Sequence, residues 1–334
     1  MVTLLTGALL VGAALAPEPL PSGNPAQAAD AHDSVRFSAA GDFGKTPATG
    51  TVLDLAAASG SFLLALGDLS YGDATESQWC SFVKGRVGPT YPVQLLSGNH
   101  ESNGRDGHIE RFADCLPDRL PGTVGDYGRQ WYVDVPAADP VVRIVMISPG
   151  LTFDDGTWRY QAGKVRYRWT GKAIDDARAD GIDWVVVGMH YPCLSMGRYG
   201  CSAGSDIMNL LVKKRVDLVL TGHEHLYQRS KQITTGPGCR RVPTTRFDRD
   251  CVANASSTVR DGAGTIFVTV GTGGTALRAV NRKDRQKRYF AAWSGLNASP
   301  RHGLLAVDAD RSRLTATFVG AAPGTFRDAL TIRR

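Results

Sequence analysis

From Ser34 onward the chain alternates short runs of β-branched residues with runs whose apolar side chains recur at helical spacing. Residues 35–40 read as a strand, and Val52, Leu53 and Leu55 mark 46–58 as a helix before a second strand at 62–66. The alternation continues with a helix at 76–87, a strand at 92–96 and a short helix at 107–115. Two strands, 131–135 and 141–148, are joined by a Pro-rich turn and read as an antiparallel pair. A long helix at 164–179 leads into 184–189, which is apolar on both faces and therefore a strand buried inside a sheet. A helix at 206–214 and a strand at 216–220 follow. Beyond His225 the pattern changes. Residues 236–262 form a polar, cysteine-bearing insertion, and 265–270, 303–307, 314–319 and 329–332 are strands with few helices between them.

A βαβ half followed by a β-rich half fits an α/β fold in four layers, α/β/β/α, with two mixed sheets face to face and helices outside each. Strand ends from both sheets then converge at one edge. Nothing after Ser34 marks a linker and no fixed-period repeat appears, so 34–334 reads as a single catalytic-size domain.

Composition narrows the class. The 43% hydrophobic and 21% charged fractions are those of a soluble globular protein. The net charge of +6 is spread along the chain, and the only dense basic cluster, 282–288, reads as a solvated loop. No basic face with interleaved aromatics is present, so nucleic-acid binding is not expected. At the N-terminus, 4–15 is an apolar stretch of signal-peptide length, too short for a stable membrane span. Ala26-Gln27-Ala28 offers a small-x-small cleavage site, which gives a signal peptide at 1–28 and a linker at 29–33. The basic element of such a leader is missing, because no Lys or Arg precedes Arg36. A secreted or cell-envelope location is the expectation. Six cysteines allow about 15 pairings. None forms a Cys-x-x-Cys pair; proximity favours Cys193 with Cys201 and Cys239 with Cys251, leaving Cys80 with Cys115, and such bridges require an oxidising compartment.

The candidate chemistry lies where apolar runs end beside glycine. Five segments qualify: Gly41-Asp42-Phe43-Gly44, Gly67-Asp68-Leu69-Ser70-Tyr71, Gly98-Asn99-His100-Glu101, Val187-Gly188-Met189-His190 and Gly222-His223-Glu224-His225. Carboxylate, imidazole, amide oxygen and phenolate are hard to intermediate donors that suit Fe, Zn or Mn. Singly, an Asp or Asn beside glycine is a turn former. Jointly the segments indicate a two-metal site, since they gather four of the seven histidines. Of the rest, His32 lies in the leader, His108 in a helix or loop, and His302 before a late strand; Tyr191, Tyr227 and Arg229 flank the His segments and read as residues that support the ligands or pack beside them.

The order Asp-x-Gly, Gly-Asp-x-x-Tyr, Gly-Asn-His-Glu, Val-x-x-His, Gly-His-x-His resembles the calcineurin-like metallophosphoesterases, and within them the purple acid phosphatases. The resemblance runs from Ala40 to about Leu226, with weaker support from 271–275. It implies the metallophosphoesterase fold and an iron(III) ion held by Asp42, Asp68, Tyr71 and His225. Asp68 would bridge to a divalent ion, Fe, Zn or Mn, held by Asn99, His190 and His223. Gly44 stands where most of the superfamily has a histidine ligand, which leaves that place to the Tyr71 phenolate. The implied activity is hydrolysis of small phosphate monoesters by a metal-bound hydroxide with an acidic optimum. Two other activities stay open: phosphodiester hydrolysis on the same metals, and metal-dependent phosphate binding in the envelope without catalysis. Catalysis falls to His100 and the bridging Asp68, with His100, Asn99 and Arg198 contacting substrate and Glu101 orienting His100. One departure stands out. Plant-type members carry a histidine or two after the Val-x-x-His segment, whereas 191–202 here contains none and offers only Arg198.

Overall fold

The computed structural model of the chain describes residues 1–2 and 34–334. Apart from Met1 and Val2, the signal peptide read at 1–28 and the linker at 29–33, with His32, lie outside the described residues.

The strand Val35–Ala40 buries every residue but Arg36, because both of its faces are covered. It runs parallel to Leu63–Ala65, which is parallel to Val93–Leu95. On its other side it is antiparallel to Gly303–Ala309. The full seven-stranded order is Thr258–Arg260, Ala329–Arg333, Arg313–Gly320, Gly303–Ala309, Val35–Ala40, Leu63–Ala65, Val93–Leu95. A second sheet of eight strands runs Phe290–Ser294, Tyr227–Ser230, Ile266–Val270, Leu218–Thr221, Trp184–Met189, Val142–Ile147, Gln130–Val135, Val124–Asp126. Its four central strands are parallel and its outer ones antiparallel. Trp184–Met189 is buried throughout, as its two-faced apolarity requires.

Helices cover the outsides. Pro47–Ser59 packs on the first sheet, with Pro47 in its first turn and Thr46 Oγ1 accepting from Thr49 N at 3.1 Å. Glu76–Val87 packs beside it and starts with a reciprocal capping box between Thr75 and Gln78. Val165–Ala179 lies on the second sheet next to Ser205–Lys213. The sheets meet in one apolar core. Backbone bonds join their edges, with Gly41 N donating to Val270 O at 2.9 Å and Gly303 N to Thr272 O at 3.0 Å. This is the expected four-layer sandwich.

Some expectations shift. The insertion at 236–262 contributes the strand Thr258–Arg260 to the edge of the first sheet. Phe290–Ser294 and Tyr227–Ser230 are strands that sequence pattern does not reveal. The three disulfides are Cys80–Cys115, Cys193–Cys201 and Cys239–Cys251, as read from the sequence.

Candidate metal centre

The parallel strands of both sheets deliver their C-terminal ends to one edge, the place where an α/β protein gathers side chains around a point. Asp42 follows Val35–Ala40, Asp68 and Tyr71 follow Leu63–Ala65, and Asn99 and His100 follow Val93–Leu95. From the second sheet, His190 follows Trp184–Met189, and His223 and His225 follow Leu218–Thr221. Adjacent loops are zipped by backbone bonds: Asp42 N to Gly67 O at 3.0 Å, Phe43 N to Asp68 O at 2.9 Å and Gly44 N to Leu69 O at 2.9 Å.

The loops bend hard. Asp42, Asp68, Tyr71 and His223 all adopt left-handed backbone, with φ of 63°, 55°, 55° and 68°. Such conformations cost non-glycine residues roughly 1–3 kcal/mol each and gather at functional sites. Glycine is required where loops touch. A Cβ on Gly67 would lie 2.5 Å from Gly98 N and 2.8 Å from His190 Nδ1, and one on Gly98 would lie 2.2 Å from Asp68 Oδ1.

All seven sequence-predicted ligand residues are brought together. Tyr71 Oη lies 2.9 Å from Asp42 Oδ1, 3.0 Å from His225 Nε2 and 3.3 Å from Asp68 Oδ2. On the far side of Asp68, His190 Nε2 is 3.3 Å from Asp68 Oδ1 and 3.2 Å from Asn99 Oδ1. Ligand atoms of Asp68, His190 and His223 all lie within 4.8 Å of one another. Asp68 therefore belongs to both groups.

Three observations fit this arrangement to cations. Asp42 Oδ2 is buried with no hydrogen-bond partner among the described residues, an arrangement that is costly unless a cation satisfies it. His190 Nδ1 is tied to Leu66 O at 2.8 Å and His225 Nδ1 to Ala276 O at 3.0 Å. Each bond fixes its ring with Nε2 toward the cluster, as backbone carbonyls do for metal-binding imidazoles. The charge states conflict without ions. Burial pushes the Asp42 carboxyl up to about 7 and the Tyr71 phenol well above its usual range. Burial opposes ionisation of Asp68 too, but the His190 charge and bonds from His190 and His100 hold it well below the usual carboxylate range. Burial works against a His190 cation, yet Asp68 and Asp42 carry it up to about 9. Burial, reinforced by the His190 charge, lowers His223 to about 2, and burial with Arg278 lowers His225 to about 4. Protons alone cannot make this set of donors mutually content.

The cluster floors a cavity of about 350 Å³ lined by Asp68, Tyr71, Asn99, His100, Arg105, Tyr199, His223, His225, Thr275 and Arg278. His100 stands at its mouth, its Nε2 3.7 Å from Asp68 Oδ2 and its ring 4.3 Å from that of Tyr71.

Two sequence expectations change here. Glu101 does not orient His100. Its buried carboxylate accepts from Asp68 N at 2.8 Å, Gly98 N at 2.7 Å and Leu69 N at 3.3 Å, so it braces the ligand loops, while Asp106 contacts His100 Nδ1. Arg198 does not face the cluster. It is exposed and lines a neighbouring cavity with Ser195, Thr244 and Arg285, because its backbone N is held by Glu224 Oε2 at 2.9 Å. The cavity instead takes Tyr199, Arg105 and Arg278, none of which carries a local signal in the sequence. His108 precedes the helix Ile109–Cys115, and His302 Nε2 donates to Thr275 O at 2.9 Å from outside the cavity.

The sequence model of the calcineurin-like phosphoesterases matches residues 26–227, a span holding all five segments. Purple acid phosphatase 18 of Arabidopsis thaliana is 24% identical over 263 residues, 76% of this chain and 52% of that protein. The Fe(3+)-Zn(2+) purple acid phosphatase 12 of the same plant is 23% identical over 292 residues, 81% and 56% of the two chains. The chain thus spans about half the length of the curated relatives it matches. Among solved structures, a purple acid phosphatase from yellow lupin (Lupinus luteus) seeds shares the fold with a TM-score of 0.65 at 18% identity, covering 90% of this chain and 54% of that one. With the family's sequence model matching more than half of it, this chain belongs to the calcineurin-like phosphoesterases, a family of metal-dependent phosphoester hydrolases.

Proposed function

We propose that this chain is a binuclear phosphatase of purple acid type that hydrolyses phosphate monoesters at acidic pH. The observation that carries this reading is the place of Tyr71. Its hydroxyl sits between Asp42 and His225, and its ring lies beside Gly44, where a Cβ would come 3.9 Å from Tyr71 Cδ2. A phenolate donor favours iron(III). In this reading Asp42, Asp68, Tyr71 and His225 hold the iron, and Asp68, Asn99, His190 and His223 hold Fe, Zn or Mn as the divalent partner. When bound, the two cations neutralise phosphoryl charge and acidify water, the trivalent ion more strongly, which is why an acidic optimum is expected.

The chain's own residues supply the rest. His100 Nε2 faces the cavity while Nδ1 is held by Asp106, a posture for donating a proton to the leaving alkoxide oxygen. Glu101 keeps the Asp68 and Asn99 loops in register through its three backbone acceptor bonds. The disulfides support export to an oxidising compartment, outside the cell or in its envelope.

Metal analysis with a visible spectrum, run on wild type and Tyr71→Phe, tests the reading. The wild type should carry about one iron with a tyrosinate charge-transfer band that the variant loses; iron without such a band would refute the purple acid assignment. Faster hydrolysis of bis-aryl phosphate than of aryl phosphate would replace the monoester reading with a diesterase, and turnover of neither with both ions loaded would leave a binding protein.

A further inference from the structure

We infer that Arg278 is the residue that grips the substrate's phosphoryl group and sets preference for monoesters over diesters, an inference that rests on the phosphatase reading above. Arg278 is fixed at both ends of its backbone. Its N donates to His225 O at 2.8 Å and its carbonyl accepts from Leu296 N at 2.8 Å. Its Nη1 donates to His223 O at 3.2 Å, which uses one of five guanidinium donors. The guanidinium carbon lies 5.3 Å from the centre of the Tyr199 ring, and that ring stacks on His223 at 4.4 Å with a 26° tilt.

Tyr199 is itself held. Its backbone N reaches Glu224 Oε1 at 2.5 Å, and its loop is closed by the Cys193–Cys201 disulfide. The cation is therefore positioned before any ligand arrives, and it opens onto the same cavity as Asn99, His100 and His223. Among the described residues no carboxylate forms an ion pair with Arg278, whereas Arg105 at the same cavity lies 3.8 Å from Asp106. The buried Glu224 carboxylate feels the Arg278 charge, but its oxygens accept hydrogen bonds from Ser195, Arg198 and Tyr199 and none from Arg278.

A monoester presents three non-bridging oxygens and up to two negative charges; a diester presents two oxygens and one charge. Where two non-bridging oxygens of either ester face the cluster, only the monoester would have a third oxygen and a second negative charge left for the guanidinium. The histidine-free stretch after His190 then needs no further anion binder on that loop.

The test titrates inorganic phosphate into the metal-loaded protein by calorimetry and compares aryl with bis-aryl phosphate kinetics, for wild type, Arg278→Gln and Arg278→Lys. A charge-assisted contact of this kind predicts that Arg278→Gln weakens phosphate binding and lowers kcat/KM for the monoester by about 10- to 100-fold, with the diester changing far less and metal content unaltered. Arg278→Lys should recover part of the phosphate affinity, since it keeps the charge without the fork. Phosphate binding by Arg278→Gln at wild-type strength would overturn the inference, as would equal losses on both esters accompanied by loss of metal, which would make Arg278 a prop for the His223 loop. A wild type that binds no phosphate overturns it too. Phosphate bound without turnover in wild type, but weakened in Arg278→Gln, would sink the enzymatic reading and with it the ester preference, while sustaining Arg278 as the phosphate grip.

Discussion

His100 has its ring between two carboxylates, Asp106 at Nδ1 and Asp68 beyond Nε2. If its task is to protonate the leaving oxygen, the benefit depends on how much that oxygen needs a proton. Asp106→Asn is therefore expected to slow alkyl phosphates by about 10-fold or more while aryl phosphates with acidic leaving groups are slowed little, in keeping with the usual size of proton-transfer catalysis. Steady-state rates across a leaving-group series check this, and an equal drop on every ester would show that Asp106 only supports the loop. The site at this scale was legible where a ligand has a local signature. Asp42, Asp68, Asn99 and His223 each follow a glycine at a strand end, and that neighbour is forced by contacts such as those of Gly67 with Gly98 and His190. Arg105, Tyr199 and Arg278 reach the cavity, and Asp106 reaches His100, from loops whose course only the fold decides. Glu101 misleads by adjacency: a buried carboxylate turns to the nearest bundle of backbone N–H groups, and for Glu101 these belong to Asp68, Leu69 and Gly98.

The loop between Cys193 and Cys201 contributes Tyr199 to the wall of the cavity. Glu224, wholly buried between two candidate ligands, holds it by accepting from Ser195 Oγ at 3.2 Å, Arg198 N at 2.9 Å and Tyr199 N at 2.5 Å. Burial pushes the Glu224 carboxyl up, and the three donors pull against that. Glu224→Gln replaces one acceptor oxygen by an N–H that faces donors, so a loss of about 1–3 kcal/mol in stability is expected. KM for a monoester should rise because Tyr199 is no longer fixed, while iron content holds. Denaturant unfolding and kinetics on the metal-loaded variant measure both, and an unchanged KM would detach the loop from substrate binding. Elements with a covered face were readable, as Trp184–Met189 and the capped helices Pro47–Ser59 and Glu76–Val87 illustrate. Tyr227–Ser230 was not. Its Tyr-Gln-Arg-Ser sequence looks like loop, yet all four residues are buried because partners elsewhere in the chain satisfy them.

One of those partners joins the two sheets. Asp328 precedes the strand Ala329–Arg333 of the seven-stranded sheet and accepts from Arg229 Nε at 2.7 Å, Arg229 Nη2 at 2.8 Å and Tyr227 Oη at 2.7 Å in the eight-stranded sheet. Both charged side chains are almost fully buried, at 6% and 7% exposure, and Arg229 Nη1 already lacks a hydrogen-bond partner among the described residues. Removing the acid leaves a buried guanidinium with nothing to neutralise it and a buried phenol without its acceptor. Asp328→Ala is thus expected to destabilise the protein by about 3–5 kcal/mol, far more than any exposed ion pair would. Replacing both partners with apolar residues of similar size should recover most of that loss, since the pair's attraction only offsets its own desolvation. Because the pair spans the sheets that together supply the candidate ligands, the loss should appear as a shift of one cooperative urea transition with an unchanged slope, not as early release of the C-terminal strands. Unfolding curves read at once by tryptophan fluorescence and by the visible band expected of the proposed iron centre discriminate these. Coincident curves shifted to lower urea support a bridge that couples the sheets, and a fluorescence transition that precedes loss of the band would mean that the C-terminal strands unfold apart from the edge that carries the candidate ligands.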